Sequence, residues 1–326
     1  MRVVVYGMGA IGGSIAAALT RAGHEVIGIA RGPHLDAIRA QGLRFRAPDL
    51  DEYVAVPCVA APDQVTFRPD DAILLVMKTQ DTVAALHALR AAGVTDQPIF
   101  CMQNGVANER MALRVFPNVH GVTVMMPATY LVPGEVAAFG TPNHGMFDVG
   151  CAPAGQDECD QALCEVLNGS GFAAFPTDNV MSAKHGKVLM NLGNILRAAV
   201  GKTPDLKPFH SRLKDEAMEV FRAAGIAWHE VDEADPRRAD LLRFADVPGV
   251  ERGWGSTAQS LKRGQPLETD YLNGEIVLQG RLVGVPTPLN AAMCRLAADL
   301  AGRGAGLASM EIRELTEIFD AASLQN

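Results

Sequence analysis

The sequence predicts an α/β N-terminal domain followed by an all-α C-terminal domain, and two observations support this prediction. Up to about residue 178, short apolar runs with strand character alternate with helical segments, as in a parallel sheet covered by helices. From residue 179 onward these runs give way to long Ala-, Leu- and Met-rich segments with helical spacing. We therefore expect one domain over residues 1–178 and a helical domain over residues 179–326.

The N-terminal stretch predicts a βαβ unit. A strand over residues 3–6 leads into a glycine turn, a helix over 14–22 and a second strand over 25–30. The turn has the spacing G-x-G-x-x-G and consists of Gly7, Met8, Gly9, Ala10, Ile11 and Gly12. In this context the spacing is typical of a Rossmann-type dinucleotide-binding domain, in which the turn and the helix N-terminus hold the pyrophosphate.

The end of the second strand indicates which dinucleotide binds. An NAD site usually carries an acidic residue there, which bonds the ribose 2′-hydroxyl. This chain has Arg31 instead, within Ile29-Ala30-Arg31-Gly32. A guanidinium can bind a 2′-phosphate with two parallel hydrogen bonds, so we expect NADP(H) as the cofactor. The alternative is that Arg31 is a solvated loop cation.

Two later strands end in polar residues. The apolar run 72–77 is followed by Lys78, and the run 98–102 is followed by Gln103-Asn104-Gly105. Ligands of open α/β sheets bind beyond the carboxyl ends of the strands, so Lys78 and Asn104 are candidate contacts. The alternatives are a surface lysine that ends a strand and an ordinary Asn-Gly turn.

The rest of the first domain is predicted from apolar runs and their spacing. We expect an irregular segment over 43–67 with one strand at 53–58. The other expected elements are helices at 34–41, 82–92 and 159–167 and strands at 119–126, 134–139 and 145–149.

The first helix of the second domain, predicted over 180–194, carries polar groups on one face. Lys187 and Asn191 are four residues apart and share that face, with Lys184 one turn earlier. Polar groups in the middle of an otherwise apolar helix indicate a site, although a solvated face is the alternative. His185 is expected on the helix surface.

Composition excludes several classes of function. The net charge of −8 makes nucleic acid an unexpected partner, and the chain has no apolar run of membrane length. The six cysteines form no CxxC pair and have no histidine at zinc-ligand spacing, so we expect free thiols, no metal site and a cytoplasmic location without a signal peptide. A homodimer through apolar stripes such as 289–300 is a further expectation, with burial in the core as the alternative.

Taken in order, these motifs resemble the ketopantoate reductase (2-dehydropantoate 2-reductase) family over essentially the whole chain. They are GMGAIGG, Arg31, VMKTQDT, QNG, the K-x-x-x-N of Lys187 and Asn191, GSTAQS at 255–260 and LETDYLNG at 267–274. The resemblance implies an NADP-dependent oxidoreductase of pantothenate biosynthesis that reduces a small 2-oxo acid, ketopantoate, to the 2-hydroxy acid.

The resemblance also implies roles for individual residues. Lys187 would be the general acid, and Glu268 would hold the substrate hydroxyl and the nicotinamide region. The substrate contacts would be Asn104, Asn191 and Ser256, with Lys78 beside the cofactor. The chemistry agrees, because an ammonium can stabilise and protonate the carbonyl oxygen as hydride reaches the carbon. Its usual pKa near 10.4 would have to fall, through burial or a second cation such as Lys78.

Two departures from the family pattern bear on the substrate. The family usually has a second asparagine eight positions after the lysine, whereas this chain has Ile195, with Asn194 one residue early. The segment before Ser256 also differs and contains Trp254. The alternatives are therefore a reductase of another 2-oxo acid or an opine-type substrate, or a non-catalytic NADP(H)-binding sensor. The acid and the polar groups expected around it favour an enzyme.

Overall fold

The computed structural model describes residues 1–231, 235–253 and 255–324, so Trp254 lies outside the described residues. Two compact units form. The first contains residues 1–104, 108–183 and 235–252, and the second contains 105–107, 184–231 and the described residues from 253 onward. Within the described ranges, no helix combines the length and apolar character needed to span a bilayer. The domain boundary after residue 178 stays a prediction.

The strands of the described residues lie in the first unit. In chain order they are β1 (Arg2–Tyr6), β2 (Val26–Ile29), β3 (Leu43–Ala47), β4 (Leu50–Val54), β5 (Cys58–Val59), β6 (Asp71–Leu75), β7 (Ile99–Cys101), β8 (Val119–Met125), β9 (Ala128–Tyr130), β10 (Glu135–Ala138), β11 (Gly140–Pro142), β12 (Met146–Cys151), β13 (Ala173–Pro176) and β14 (Leu242–Phe244).

The helices follow the same numbering. They are α1 (Ala10–Arg21), α2 (Gly32–Gln41), α3 (Thr82–Ala91), α4 (Ala107–Ala112), α5 (Glu158–Asn168), α6 (Val180–Asn191), α7 (Asn194–Val200), α8 (Lys207–Ala224), α9 (Arg237–Leu241), α10 (Ser256–Lys262), α11 (Asn273–Val283), α12 (Pro288–Gly302) and α13 (Ile312–Ser323).

An eight-stranded sheet organises the first unit, in the order β13-β12-β8-β7-β6-β1-β2-β5. Neighbouring strands pair in parallel, except that β12 is antiparallel to β8. Strands β6 and β1 lie in its interior and are buried along nearly their whole length. Such apolar strands need cover on both faces, which explains their continuous Val, Ile and Leu runs. The predicted α/β class with a helical second part is confirmed.

The expectation that residues 43–67 are largely irregular was wrong. Strands β3 and β4 form a hairpin there, and with β10 and β9 they make a four-stranded sheet in the order β4-β3-β10-β9. Leu43 and Phe45 are fully buried, while Arg44 and Arg46 alternate with them and pair with acidic side chains, among them Glu135. The alternation of Arg44 and Arg46 with buried apolar residues is the pattern of a half-buried strand, so the sequence contained a signal for β3 that the expectation overlooked.

Residues 235–252 also belong to the first unit. Strand β14 pairs antiparallel with β11. Arg237 links this segment to β12. Its guanidinium donates to both carboxylate oxygens of Asp148, at 2.7 and 3.1 Å, and it also forms an ion pair with Asp235. A bidentate pair of this kind fixes orientation as well as position.

The helical unit differs from expectation in three places. The helix predicted over 180–194 ends at Asn191, and α7 begins after Gly193, where a side chain would press against the ring of His210. His185 is half-buried and packs edge-on against Phe221 rather than lying on the surface. The apolar stripe of α12 is core, with Met293 fully buried, so it does not support a homodimer.

Candidate active site

Three residues and one loop that were predicted to bind ligand follow four neighbouring strands. Strands β7, β6, β1 and β2 are adjacent and parallel, so their carboxyl ends share one edge of the sheet. Asn104, Lys78, the loop that begins at Gly7, and Arg31 follow these strands in the same order. Lys78 and Asn104 are half-buried and Arg31 is exposed. The first unit therefore brings these residues to the edge where open α/β sheets bind ligands.

The glycine loop has the local geometry that its spacing predicts. Gly7 has a φ of +110°, and a side chain there would lie 2.6 Å from the backbone nitrogen of Met77. A side chain at Gly12 would collide with the carbonyl oxygen of Gly7. Gly9, by contrast, faces open space and caps α1 without any side-chain hydrogen bond. A ligand can therefore approach the backbone at Gly9 and reach the free N–H groups in the first turn of α1.

His34 positions this loop, and sequence reasoning missed it. Its Nε2 donates to the carbonyl oxygen of Met8 at 2.6 Å, while its Nδ1 accepts from the backbone N–H of Gly134 at 2.8 Å. These partners require the neutral ring, and burial lowers the pKa of His34 below its usual value. Gly134 is 100 residues further along the chain, so no local pattern indicates the contact.

A buried polar network supports the loop that carries Asn104. Gln103 donates to Thr82 at 3.0 Å, and the Thr82 hydroxyl donates to Asn108 Oδ1 at 2.8 Å. Asn108 Nδ2 in turn donates to the backbone carbonyl of Asn104 at 3.1 Å and to Thr79 Oγ1 at 3.3 Å. Asn108 and Thr82 are fully buried. The network links the segment after β6 with the segment after β7.

Lys187 lies on α6 in the helical unit and has a lowered pKa. Part of the residue remains accessible, but desolvation of its ammonium group lowers its pKa to about 7. The positive charge of Lys184 adds to this lowering, and the carboxylate of Glu268 opposes it. A second cation was expected to act on this pKa, and Lys184, which is only 2% exposed, is one that does. The same effect from Lys78 stays a prediction.

Asn191 lies one turn after Lys187 on α6 and is 5% exposed. Its amide nitrogen has no hydrogen-bond partner within the described part of the chain. A buried donor left in this state costs free energy, and a ligand oxygen would satisfy it. Ile195 is buried, while Asn194 accepts from Arg197 at 2.6 Å. The helix breaks before Asn194. The position of Asn194 relative to Lys187 therefore does not follow from counting residues along one continuous helix.

The two remaining predicted residues lie at the starts of elements in the same unit. Glu268 is buried and immediately precedes a 3₁₀ turn over Thr269–Tyr271. Ser256 is the first residue of α10 and is exposed. Glu268 acts electrostatically on Lys187, so the structure brings these two groups together.

A mostly parallel sheet with a glycine loop at its carboxyl edge defines the class of protein as one with a Rossmann-type domain. The helical unit that follows contains a lysine of lowered pKa, which is suited to act as a general acid. Residues 3–153 match the family model described as ketopantoate reductase PanE/ApbA, and residues 179–301 match the model of its C-terminal part. The chain belongs to the ketopantoate reductase family.

Individual relatives are similar over nearly their whole length. A 2-dehydropantoate 2-reductase from Pyrococcus abyssi is 27% identical over 297 residues, covering 89% of this chain and 94% of that protein. The crystal structure of a PanE/ApbA family ketopantoate reductase from Ralstonia eutropha JMP134 has a TM-score of 0.76 and 27% identity, covering 93% of this chain and 99% of its own.

A third similar structure is D-mandelate dehydrogenase in a ternary structure with NADH and anilino(oxo)acetate. It has a TM-score of 0.78 and 23% identity, and the match covers 93% of this chain and 99% of that chain. At this identity the similarity concerns the fold alone.

Proposed function

We propose that this protein uses NADPH to reduce a small 2-oxo acid to the 2-hydroxy acid, and that the substrate is 2-dehydropantoate (ketopantoate). Family membership and the activity named for its relatives support this proposal. The observation that carries it is Lys187, whose ammonium has a pKa of about 7 and lies on one helix with the unpartnered amide of Asn191. A non-catalytic NADP(H) sensor would not need an acid tuned in this way.

The residues for the cofactor lie along the carboxyl edge of the sheet. The loop from Gly7 to Gly12 and the N-terminus of α1 would bind the pyrophosphate, since Gly9 leaves its approach open. Arg31 would bind the 2′-phosphate, in a position where an NAD site carries an acid. Lys78, Asn104 and Glu268 are proposed as further contacts. When bound, NADPH supplies the hydride.

Lys187 would supply the proton. Negative charge develops on the carbonyl oxygen during reduction, and an adjacent ammonium stabilises that charge and then protonates it. An acid with a pKa of about 7 is matched to neutral pH, because about half of it is protonated there and it releases the proton readily. The carboxylate of Glu268 would orient the substrate hydroxyl while it stabilises the protonated form of Lys187.

Three polar side chains are proposed to bind the substrate. The buried amide nitrogen of Asn191 is proposed to donate to a substrate oxygen, with Asn104 and Ser256 as further contacts. A 2-oxo acid other than ketopantoate is the second candidate, because the buried Ile195 lies where the family usually has an asparagine. A cytoplasmic location is part of the proposal, and the six free cysteines agree with it.

The test is NADPH oxidation by the purified protein, followed by absorbance, with ketopantoate first and then a panel of 2-oxo acids. We expect a kcat/KM for ketopantoate of roughly 10⁴ M⁻¹s⁻¹ or more, with NADH much less effective. Turnover of another 2-oxo acid alone would reassign the substrate. NADPH binding without turnover of any member of the panel would contradict the proposed reaction.

A further inference from the structure

Four side chains of metal-binding type converge in the first unit. They are His120, Cys151, Asp157 and Asp160, and their ligand atoms all lie within 4.8 Å of one another. The cluster lies at the edge of the sheet opposite the glycine loop, because His120 is near the start of β8 and Cys151 is the last residue of the antiparallel β12. Within the first unit it is therefore separate from the glycine loop, Lys78, Asn104 and Arg31.

The fold builds the cluster from three elements. Cys151 pairs directly with His120 across β8 and β12. The chain then turns back, Asp157 caps the N-terminus of α5, and Asp160 is the third residue of that helix. His120 precedes Cys151 by 31 residues, so a search for zinc-ligand spacing along the sequence does not find the pair.

The surroundings of His120 leave one ring nitrogen facing a carboxylate. Its Nε2 lies 2.8 Å from Asn118 Oδ1, and the amide nitrogen of Asn118 donates to a backbone carbonyl, which fixes that amide's orientation. Its Nδ1 lies 2.7 Å from Asp160 Oδ1. These contacts hold the ring on both sides, with its Nδ1 directed into the cluster.

We propose that the cluster of His120, Cys151, Asp157 and Asp160 binds a divalent cation of the zinc type. An imidazole, a thiolate and two carboxylates are ligands that zinc takes in proteins, and a four-ligand set matches its tetrahedral preference. Zinc–ligand bond lengths imply separations of about 3.4–3.6 Å between neighbouring ligand atoms. Cys151 Sγ lies 3.4 Å from Asp160 Oδ2 and 3.9 Å from His120 Nδ1. His120 Nδ1 lies only 2.7 Å from Asp160 Oδ1, so these two atoms must move apart when zinc binds.

Binding exchanges protons for the metal. The Cys151 thiol loses its proton to become a ligand, and the imidazole of His120 would bind the metal through the lone pair of Nδ1. Affinity therefore rises with pH. Cys151 and Asp157 are half-buried while His120 and Asp160 are fully buried, so the cation has a path from solvent to a shielded site. It would tie β8, β12 and α5 together and stabilise the first unit.

The test measures metal binding to the full chain, independently of any reductase activity. The protein is stripped with a chelator and titrated with Zn²⁺ by calorimetry, and with Co²⁺ by absorbance. We expect one Zn²⁺ per chain, a higher Tm with Zn²⁺, and a sulfur-to-cobalt charge-transfer band with Co²⁺. Cys151→Ser should abolish the band and weaken Zn²⁺ binding by at least the roughly 10–100-fold that loss of a supporting residue costs.

Two further variants separate binding from folding. Asp157→Asn keeps a good helix cap but loses a charged ligand, so it should weaken Zn²⁺ binding and leave the circular dichroism spectrum unchanged. Cys159→Ser changes a half-buried thiol of the same segment that is not in the cluster, and it should bind Zn²⁺ as the unmodified protein does. Stoichiometric binding that survives Cys151→Ser, or no binding at all, would overturn the proposal.

Discussion

Lys184 lies one helical turn before Lys187 on α6, and its positive charge adds to the desolvation that brings the pKa of Lys187 to about 7. Only the protonated lysine can act as the acid in reduction. The rate of reduction should therefore fall as the pH rises through about 7. The pH dependence of kcat reports this group in the complex with substrate.

The Lys184→Met variant should move that dependence. Removing a positive charge stabilises the protonated form of Lys187, so its pKa rises and the falling limb of the kcat profile shifts to higher pH. The measurement is kcat over a pH series at saturating NADPH and substrate. A limb that stays in place would mean that a group other than Lys187 controls it.

Glu268→Gln should move the same limb in the opposite direction. The carboxylate stabilises the ammonium of Lys187, so its loss lowers the pKa and shifts the limb to lower pH. The variant is expected to lower kcat as well, because Glu268 is proposed to orient the substrate. The two variants should therefore shift the kcat profile in opposite directions. A general loss of structure would shift both profiles in the same direction or shift neither of them.

The acid role of Lys187 has its own test. Lys187→Ala should reduce the chemical step by roughly 10²–10⁴-fold, measured as NADPH oxidation in a single turnover. Lys187→Arg keeps the charge but cannot release a proton near neutral pH, so it should be nearly as slow. NADPH affinity, followed by fluorescence, is the control and should change little. Turnover at the original rate in either variant would remove Lys187 from the mechanism.

The sequence was sufficient for the features that depend on local order. The glycine loop, Lys78, Asn104 and Arg31 each follow an apolar strand, and parallel strands place their carboxyl ends together. Periodicity likewise gave the α/β and helical parts. These signals lie within a few residues of one another, so they can be read without knowing the tertiary contacts.

Features that depend on distant contacts were not predictable. His34 meets Gly134, and His120 meets Asp160, through pairings that only the folded sheets create. Spacing placed Lys184 on the polar face, but its near-complete burial depends on the packing of the unit around it. Gly193, where the helix breaks, also lies close to the ring of His210, a contact that one segment cannot reveal.

Arg31 is predicted to determine the preference for NADPH over NADH. Arg31→Ala should raise the KM for NADPH about 10–100-fold, the cost of losing charge-assisted hydrogen bonds, and leave the KM for NADH nearly unchanged. Arg39→Ala removes a second arginine from the α2 region and serves as the control, because Arg39 donates to the carbonyl of Cys58. An equal rise in the KM for both cofactors would mean that Arg31 supports the fold and does not bind the 2′-phosphate.

His34 should make the stability of the protein depend on pH. Burial holds its folded-state pKa below the usual 6.5, so the unfolded chain takes up a proton that the folded ring resists. The contribution is complete above pH 6.5 and is lost as the pH falls below it, by at most about 1.4 kcal/mol per pH unit. His144, whose pKa burial also lowers, should act in the same direction.

The variant His34→Gln isolates this contribution. Glutamine keeps an amide donor for the Met8 carbonyl but does not titrate, so the free energy of unfolding should fall less between about pH 7.5 and 5.5 than it does in the unmodified protein. Urea unfolding at both pH values gives the comparison. Because His34 holds the glycine loop, NADPH should also bind more weakly to the variant at the higher pH. A pH dependence equal to that of the unmodified protein would show that His34 takes up its proton as readily in the folded state as in the unfolded one.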